Sequence, residues 1–450
     1  MESTRNHITH VSRDAIASFK VLDAAFFCRS PYRLLSGDQN LGAPTPRFLE
    51  GQRADALAGE LPANAYRSAH IDEFFLAIDQ KHLATPSAQH PRCIQPGDVL
   101  ITKIAPIRAA WVMPAHRRHP VDANCLILRA ADRSASFWWL LWLNTSAFTD
   151  MLLRLSGAAI LPRLGLSVLR DLTLPPPPLA LAPLAHEAWV TLAALAEADL
   201  EMMQLHAEVD ATVEAEVART SWSETAARYS APTWCDWFAR ELIDDSLVPV
   251  HVAAAAQAET LHRDADWQPL PDLAIQASPE RLGETSERVR TLRLSDVRRS
   301  FEVSIPDEPR AASTGSRLYG KPLHAGDVLL STLGSDPRVA WLADDPPTPV
   351  FAVDHWARLS FHDTPGAWAL ILGTEPVARQ IRLFTSGTAQ QFIRTADLTH
   401  IFLPRFPRET LARWERALAR MLRRRNELLG QWRSVLERAR AVQQATLQPA

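Results

Sequence analysis

The sequence predicts an α+β protein in which one module occurs twice and two long helices pair antiparallel in a pseudo-twofold arrangement. Three observations lead there. A series of landmarks in the first half returns in the same order in the second. Two long stretches carry apolar residues at alternating spacings of three and four. Those two stretches have opposite charge, so each can select the other as its partner in a coiled coil.

The first module spans residues 1–182. It opens with the apolar run Val21 to Phe27 and an irregular segment to about Pro62. A hairpin follows, with the turn Pro96-Gly97-Asp98 feeding Val99 to Lys103, then Pro106 and the return strand Ala109 to Val112. Cys125 to Arg129 reads as a further strand. The aromatic run Ser136 to Asn144 and the stretch Ala147 to Leu155 read as helices. Gly157 and the strand-like Leu169 to Leu174 come next, and Pro175 to Pro178 end the module, since four prolines continue neither helix nor strand.

The first long helix, residues 183–220, has the seam Leu195, Ala198, Met202, Leu205, Val209 and Val213. Neither Gly nor Pro interrupts Leu184 to Val217, and its outer positions are acidic, including Glu187, Glu197, Asp199, Glu201, Glu208, Asp210, Glu214 and Glu216. The second module, 221–404, enters through Trp222 to Leu282, where Asp236 to Ile243 and Val250 to Leu261 read as helices. It then repeats the first. Gly326-Asp327-Val328-Leu329 matches Gly97-Asp98-Val99-Leu100, and Val339 to Leu342 matches Ala109 to Val112. Phe351 to Asp354 stands where Val121 to Asn124 stood. Helices are expected over Ala367 to Leu372 and Pro376 to Phe384, before Gly387 and the closing strand His400 to Pro404. The two Gly-Asp-Val-Leu copies and the two Leu-Pro copies, at Leu174 and Leu403, are the same distance apart.

The last helix, 405–450, keeps a strict heptad through Leu411, Trp414, Leu418, Met421, Arg425, Leu428, Trp432, Val435, Ala439 and Val442. Arg425 is its only charged seam member. Arginines such as Arg413, Arg416, Arg420, Arg423, Arg424, Arg433, Arg438 and Arg440 dominate the outer positions. The competing reading is two unrelated amphipathic helices on separate cores.

At 450 residues the chain exceeds one ordinary core. Its four cysteines, Cys28, Cys93, Cys125 and Cys235, have no paired spacing, which fits neither a disulfide framework nor a zinc site and suggests a reducing, cytoplasmic setting. Met1 to Arg13 is polar, unlike a secretory signal. The most apolar run, Phe137 to Leu143, is too short to span a bilayer. A net charge of −3 gives no global sign of nucleic-acid binding, so such a role must rest on local basic patches.

Taken together, Gly97 to Lys103, Gly157 to Ala159 and Leu174 to Pro178 in the first half, with Gly326 to Thr332, Ser386 to Gln390 and Phe402 to Pro404 in the second, resemble the DNA specificity (S) subunit of type I restriction–modification systems. The likeness runs over nearly the whole chain. It departs at the start of each helix, where Leu184 to Glu187 and Glu409 to Ala412 replace the usual Gln-x-x-Ile, which points to a divergent member from a related methylation-linked defence system. The resemblance implies two tandem target-recognition domains, each reading one half of a bipartite site on double-stranded DNA. The long helices would act as spacers that dock adenine methyltransferase (M) subunits. The chain itself would be non-catalytic and hold no cofactor, with S-adenosylmethionine on the methyltransferase, and a restriction/translocase (R) subunit would join where the system cleaves.

DNA contacts are expected from cations and hydroxyls on phosphates and from amides on base edges. The loops beside the hairpins offer Lys103, Arg108, Arg117 and Arg118 in the first module, and Ser331, Thr332 and Arg338 in the second. The glycine turns add Arg163, Thr388, Gln390, Gln391 and Arg394, of which the glutamines can bond adenine bidentately. For each of these, an ordinary solvated surface residue is the competing reading. Trp111, Trp341, Trp138, Trp139 and Trp142 read as core, and His116 and His119, beside Arg117 and Arg118, as surface residues.

Enzyme signatures are weak. There is no Walker loop and no GxGxxG after a strand. Asp345-Pro346-Pro347-Thr348 lacks the aromatic that an amino-methyltransferase uses against its target base, and Asp72, Asp79 and Lys81 make only a loose nuclease-like trio. The alternatives to a DNA-reading scaffold are a standalone nuclease or DNA-modifying enzyme with an unrecognised site, and an interaction protein that does not touch DNA.

Overall fold

The structure is a computed structural model that describes residues 47–50, 64–84, 93–155, 163–166, 169, 174, 176–219, 266–276, 290–297, 301, 303, 305, 322–334, 337–353, 355–385 and 392–447. The expected elements at Val21 to Phe27, 236–243 and 250–261 lie outside these residues, as do the glycine turns 157–159 and 386–390. The chain forms two compact units. Unit 1 comprises 1–200 and 425–450, and unit 2 comprises 201–424.

In unit 1, β1 (Arg47–Glu50), β2 (Val99–Thr102), β3 (Ala109–Trp111) and β4 (Cys125–Arg129) form an antiparallel sheet of order β1-β4-β2-β3. Helices α1 (Arg133–Leu143) and α2 (Ser146–Leu155) follow it. In unit 2, β5 (Trp267–Pro269), β6 (Ala274–Gln276), β7 (Arg290–Leu292), β8 (Asp327–Ser331), β9 (Val339–Trp341), β10 (Val350–Ala352) and β11 (Trp356–Phe361) precede α3 (Pro365–Leu372) and α4 (Glu375–Leu383). The main sheet has order β6-β11-β8-β9, so the four strands repeat the order seen in unit 1 position for position. The closing strand β12 (Phe402–Pro404) pairs with β5. Buried Gln380 of α4 holds it, donating to the Phe402 carbonyl and accepting its amide, both at 2.9 Å.

The repeated Gly-Asp pair is a structural lock. Gly97 and Gly326 have φ of 97° and 89°, a left-handed conformation that side chains with a Cβ resist. The turn so made places the next carboxylate under the sheet. Asp98 accepts the Gln95 amide at 2.8 Å and takes Arg129 bidentately at 2.7 and 2.8 Å. In unit 2, Asp327 accepts the His324 amide at 2.8 Å and Arg358 at 2.9 Å. Each Asp is therefore tied to the corresponding strand of its own module's sheet, β4 or β11. Asp98 is 2% exposed while Arg129 keeps access to solvent. Asp98→Ala is therefore expected to cost about 2 kcal/mol, measured by urea unfolding of the full chain.

The two long helices are Leu181–Arg219 and Arg408–Leu447, here α5 and α6. Every seam residue named from the sequence in α5 is buried. In α6, Leu411, Trp414, Leu418, Arg425, Trp432, Val435 and Ala439 are buried, and Met421, Leu428 and Val442 half-buried. Within unit 1 the helices run antiparallel, because Glu187 meets Arg438 and Asp199 meets Arg425, both at 2.5 Å. Within unit 2 the same sense holds, with Glu201 on Arg424 at 3.2 Å and Glu208 on Arg413 at 3.3 Å. The acidic and basic faces expected from composition thus meet each other.

Aromatic packing secures the helices to the unit 1 sheet. Trp111 stacks on Phe137 with centroids 5.6 Å apart and meets Trp189 of α5 edge-on at 5.1 Å, while Trp432 of α6 lies 5.2 Å from Phe74. Trp138, Trp139, Trp142 and Trp341 are buried, as the sequence led us to expect.

One expectation is corrected. His116 and His119 are buried, at 4% and 0% exposure. The His116 ring donates through Nε2 to the Leu76 carbonyl at 2.9 Å and accepts the Met113 amide at Nδ1. His119 donates through Nε2 to the His82 carbonyl. The neighbouring Arg117 and Arg118 suggested a polar surface segment, but the chain here alternates its sides and turns the imidazoles inward around Tyr66.

Candidate nucleic-acid interface

The sequence-derived contacts sort into groups once their surroundings are known. Four are engaged in the fold. Lys103 is buried with its ammonium 3.0 Å from Glu50. The buried Ser331 hydroxyl accepts the Arg338 amide at 2.7 Å. Arg117 donates to the carbonyls of Leu83 and Ala84, and Arg338 to those of Leu294 and Val297. These four side chains thus already have partners within the fold, 7 to 53 residues away in sequence. The Asp72, Asp79 and Lys81 trio is likewise not assembled as a carboxylate centre, since Asp72 pairs with Arg108 at 3.7 Å and Asp79 with His70 at 3.1 Å.

A second group gathers at the open end of each hairpin, and it does so in both modules with the same backbone connections. In unit 1, the Lys103 amide donates to the Asn124 carbonyl at 2.8 Å, and its carbonyl accepts the Leu164 amide at 2.7 Å, beside the bridge from Ile104 to Arg163. In unit 2, the Thr332 amide donates to the His355 carbonyl at 2.8 Å, and its carbonyl accepts the Ile393 amide at 3.0 Å, beside the bridge from Leu333 to Phe392. Three segments therefore converge on one spot in each copy. They are the end of the first hairpin strand, the residue before β4 or β11, and the segment at Arg163 to Leu164 or Phe392 to Ile393.

What these spots expose is suited to nucleic acid. In unit 1, Arg163 is exposed, with long contacts to the Ala123 carbonyl at 3.5 Å and Asn124 Oδ1 at 3.4 Å. In unit 2 a shallow depression of about 480 Å³ is lined by Thr332, His355, Phe392 and Arg394 among others. Phe392 is 44% exposed, so its ring face is open to a base. Arg394 is aligned bidentately by Asp397, both contacts at 2.8 Å, which fixes its guanidinium plane. Thr388, Gln390 and Gln391 lie outside the described residues, and the chain resumes at Phe392.

Arg118 is exposed with no side-chain partner among the described residues, and Arg108 faces a separate cleft. Asn124, His355 and Phe392 were not anticipated. Overlaying the two copies by their Gly-Asp landmarks would have found the first two, because both sit just ahead of the strand that receives the Gly-Asp carboxylate's arginine. Among the described residues no helix is long and apolar enough to cross a membrane.

No protein-family model matches the chain, and no curated protein matches it. Solved structures to which it is similar include the S subunit of a type I restriction–modification system from M. genitalium. That comparison gives 10% identity, a TM-score of 0.31, and coverage of 89% of this chain and 92% of that one. Another is the HsdS subunit from Thermoanaerobacter tengcongensis, at 14% identity and a TM-score of 0.23, covering 89% of this chain and 95% of that one. At these scores the weight of a functional reading falls on the repeated hairpin-end geometry.

Proposed function

We propose that the chain is the DNA-specificity subunit of a type I restriction–modification complex, or of a related methylation-linked defence complex. The observation that carries this reading is the recurrence, in both units, of one hairpin-end arrangement that presents different side chains on the same backbone frame. A duplicated frame with unlike tips is what reading two halves of a bipartite site requires. Arg163 stands at one tip, and Phe392, His355 and Arg394 stand at the other. Thr388, Gln390 and Gln391 immediately precede Phe392 in the sequence, and this reading assigns them to the second copy's DNA contacts. Arg118 adds phosphate contact in the first.

In this reading α5 and α6 form a coiled coil that sets the spacing of the half-sites and docks adenine methyltransferase subunits. A helix of 39 residues is on the order of 58 Å long, against roughly 34 to 36 Å for one turn of DNA. The chain performs no chemistry itself. Methyl transfer from S-adenosylmethionine belongs to the methyltransferase subunits, and cleavage to a restriction subunit where one joins.

Binding of duplex DNA by the chain together with its methyltransferase tests the reading. Affinity should fall linearly in a plot of log K against log salt. Arg163→Gln should weaken binding on all sequences alike and lower that slope by about one. Methylation mapping in cells with and without the gene should show loss of one split motif. Salt-independent or absent duplex binding by the complex sinks the proposal.

A further inference from the structure

We propose that unit 1 contains a phosphate-binding cleft, separate from the hairpin tip, at the C-terminal end of α6. The cleft has a volume of about 710 Å³, the size of a small-molecule site. Arg108 and Arg440 line it from different elements. Arg108 has only the 3.7 Å contact with Asp72, too long for a hydrogen bond, and Arg440 is exposed with no partner among the described residues. Arg440 is therefore open to an anion, and Arg108, loosely paired with Asp72, keeps hydrogen-bond donors for one.

The floor points the same way. Gln443 is 5% exposed and lines the cleft, yet its side-chain nitrogen has no hydrogen-bond partner among the described residues. A buried donor left unsatisfied is costly, and an acceptor brought by a ligand relieves that cost. The first turn of α2 also opens here, with Ser146 at its start. Its positive dipole end favours negative charge. By contrast, the Asn144 side chain is fully used, accepting the Ala109 amide and donating to the Ala109 and Leu140 carbonyls, so it serves as fixed wall. Among the described residues that line the cleft, Glu73 is the one carboxylate. Two guanidinium groups line the cleft against it, with Asp72 beside Arg108.

The ligand class is a phosphate ester, drawn either from the DNA backbone or from a free nucleotide. The site does not depend on the DNA reading, and its first test contains no DNA. Inorganic phosphate titrated into the full chain should raise its melting temperature in a saturable way beyond a chloride control of equal ionic strength. Arg440→Gln, a change at an exposed position, should weaken phosphate binding about tenfold, the effect of one charge-assisted hydrogen bond. Arg433→Gln, on the same helix but outside the cleft, should leave it unchanged. No response in the wild type, or the same response in Arg440→Gln, overturns the proposal.

Duplex DNA then identifies the source. If a backbone phosphodiester occupies the cleft, phosphate competes with duplex, and Arg440→Gln lowers the salt slope of duplex binding by about one. If the occupant is a free nucleotide, duplex binding is untouched, and a mononucleotide binds more tightly than inorganic phosphate.

Discussion

Unit 1 is expected to lose stability steeply as the pH falls below 6.5, because three of its buried histidines are neutral in the folded state. His82 is stacked on Tyr66 with ring centroids 4.0 Å apart, and His116 and His119 approach the same ring at 6.3 and 6.0 Å. Burial, reinforced by the neighbouring His70, lowers His82 from 6.5 to about 3, against the opposing pull of Asp79. Burial also lowers His116 and His119. Backbone hydrogen bonds and Asp199 oppose the shift at His116, while Arg117 adds to it at His119. The cluster offers a proton little welcome, since the His82 Nε2, the His119 Nδ1 and the Tyr66 hydroxyl have no hydrogen-bond partners among the described residues.

The sign follows from linkage. Above pH 6.5 these imidazoles are neutral whether the chain is folded or not, and their contribution is fully present. Between pH 6.5 and 3 the unfolded chain binds protons that the folded one refuses, so stability falls with the pH. His116 and His119 act in the same direction as His82. His82 adds a slope approaching 1.4 kcal/mol per pH unit and on the order of 5 kcal/mol over its whole range. That is comparable with the total stability of a domain. Unit 2 has one comparable group among the described residues, His206, lowered by burial. Urea unfolding at a series of pH values, with hydrogen exchange assigning the transition to unit 1, measures the effect. His82→Asn keeps an acceptor for the Asp79 amide but cannot titrate, and should reduce the proton uptake by about one. An unchanged slope in that variant would refute the assignment.

How much of this was legible in the sequence depends on the range over which each feature is encoded. The helix seams were legible because burial on a helix follows periodicity alone, and all six positions named in α5 are buried. The repeat was legible because its turn is local, a glycine at positive φ followed at once by the carboxylate. What that carboxylate does was not legible, because Arg129 lies 31 residues beyond Asp98. The interface suffered in the same way. Lys103 reads as a phosphate contact from its loop, and its partner Glu50 stands 53 residues earlier, beyond any local pattern. The histidines misled because composition averages over a segment, whereas burial is decided side chain by side chain. At the hairpin tips the sequence placed the loops correctly on the chain, but only the paired backbone bonds reveal that the two are one design.

The seam arginine provides the other large expected effect. Arg425 is 1% exposed at a position where the heptad calls for an apolar residue, and its guanidinium meets Asp199 of α5 at 2.5 Å within unit 1. A buried pair of this kind is weak evidence for stability, because desolvating two charges offsets most of their attraction. Removing one partner alone is a different matter. Asp199→Ala leaves a buried cation short of its carboxylate and should cost about 3 to 5 kcal/mol. Replacing both, Asp199→Leu with Arg425→Leu, should be neutral or stabilising by about 1 to 4 kcal/mol, since the seam becomes continuous. The benefit of the charged pair would then lie in register, because an unbroken apolar seam has no preferred alignment whereas an Arg facing an Asp has one. Thermal unfolding of the three chains measures the energies. Disulfide trapping between cysteines placed at Glu187 and Arg438 measures the register, and it should form efficiently with the native pair and poorly in the double-leucine chain. Equal trapping in both would show that the flanking ion pairs alone align the helices.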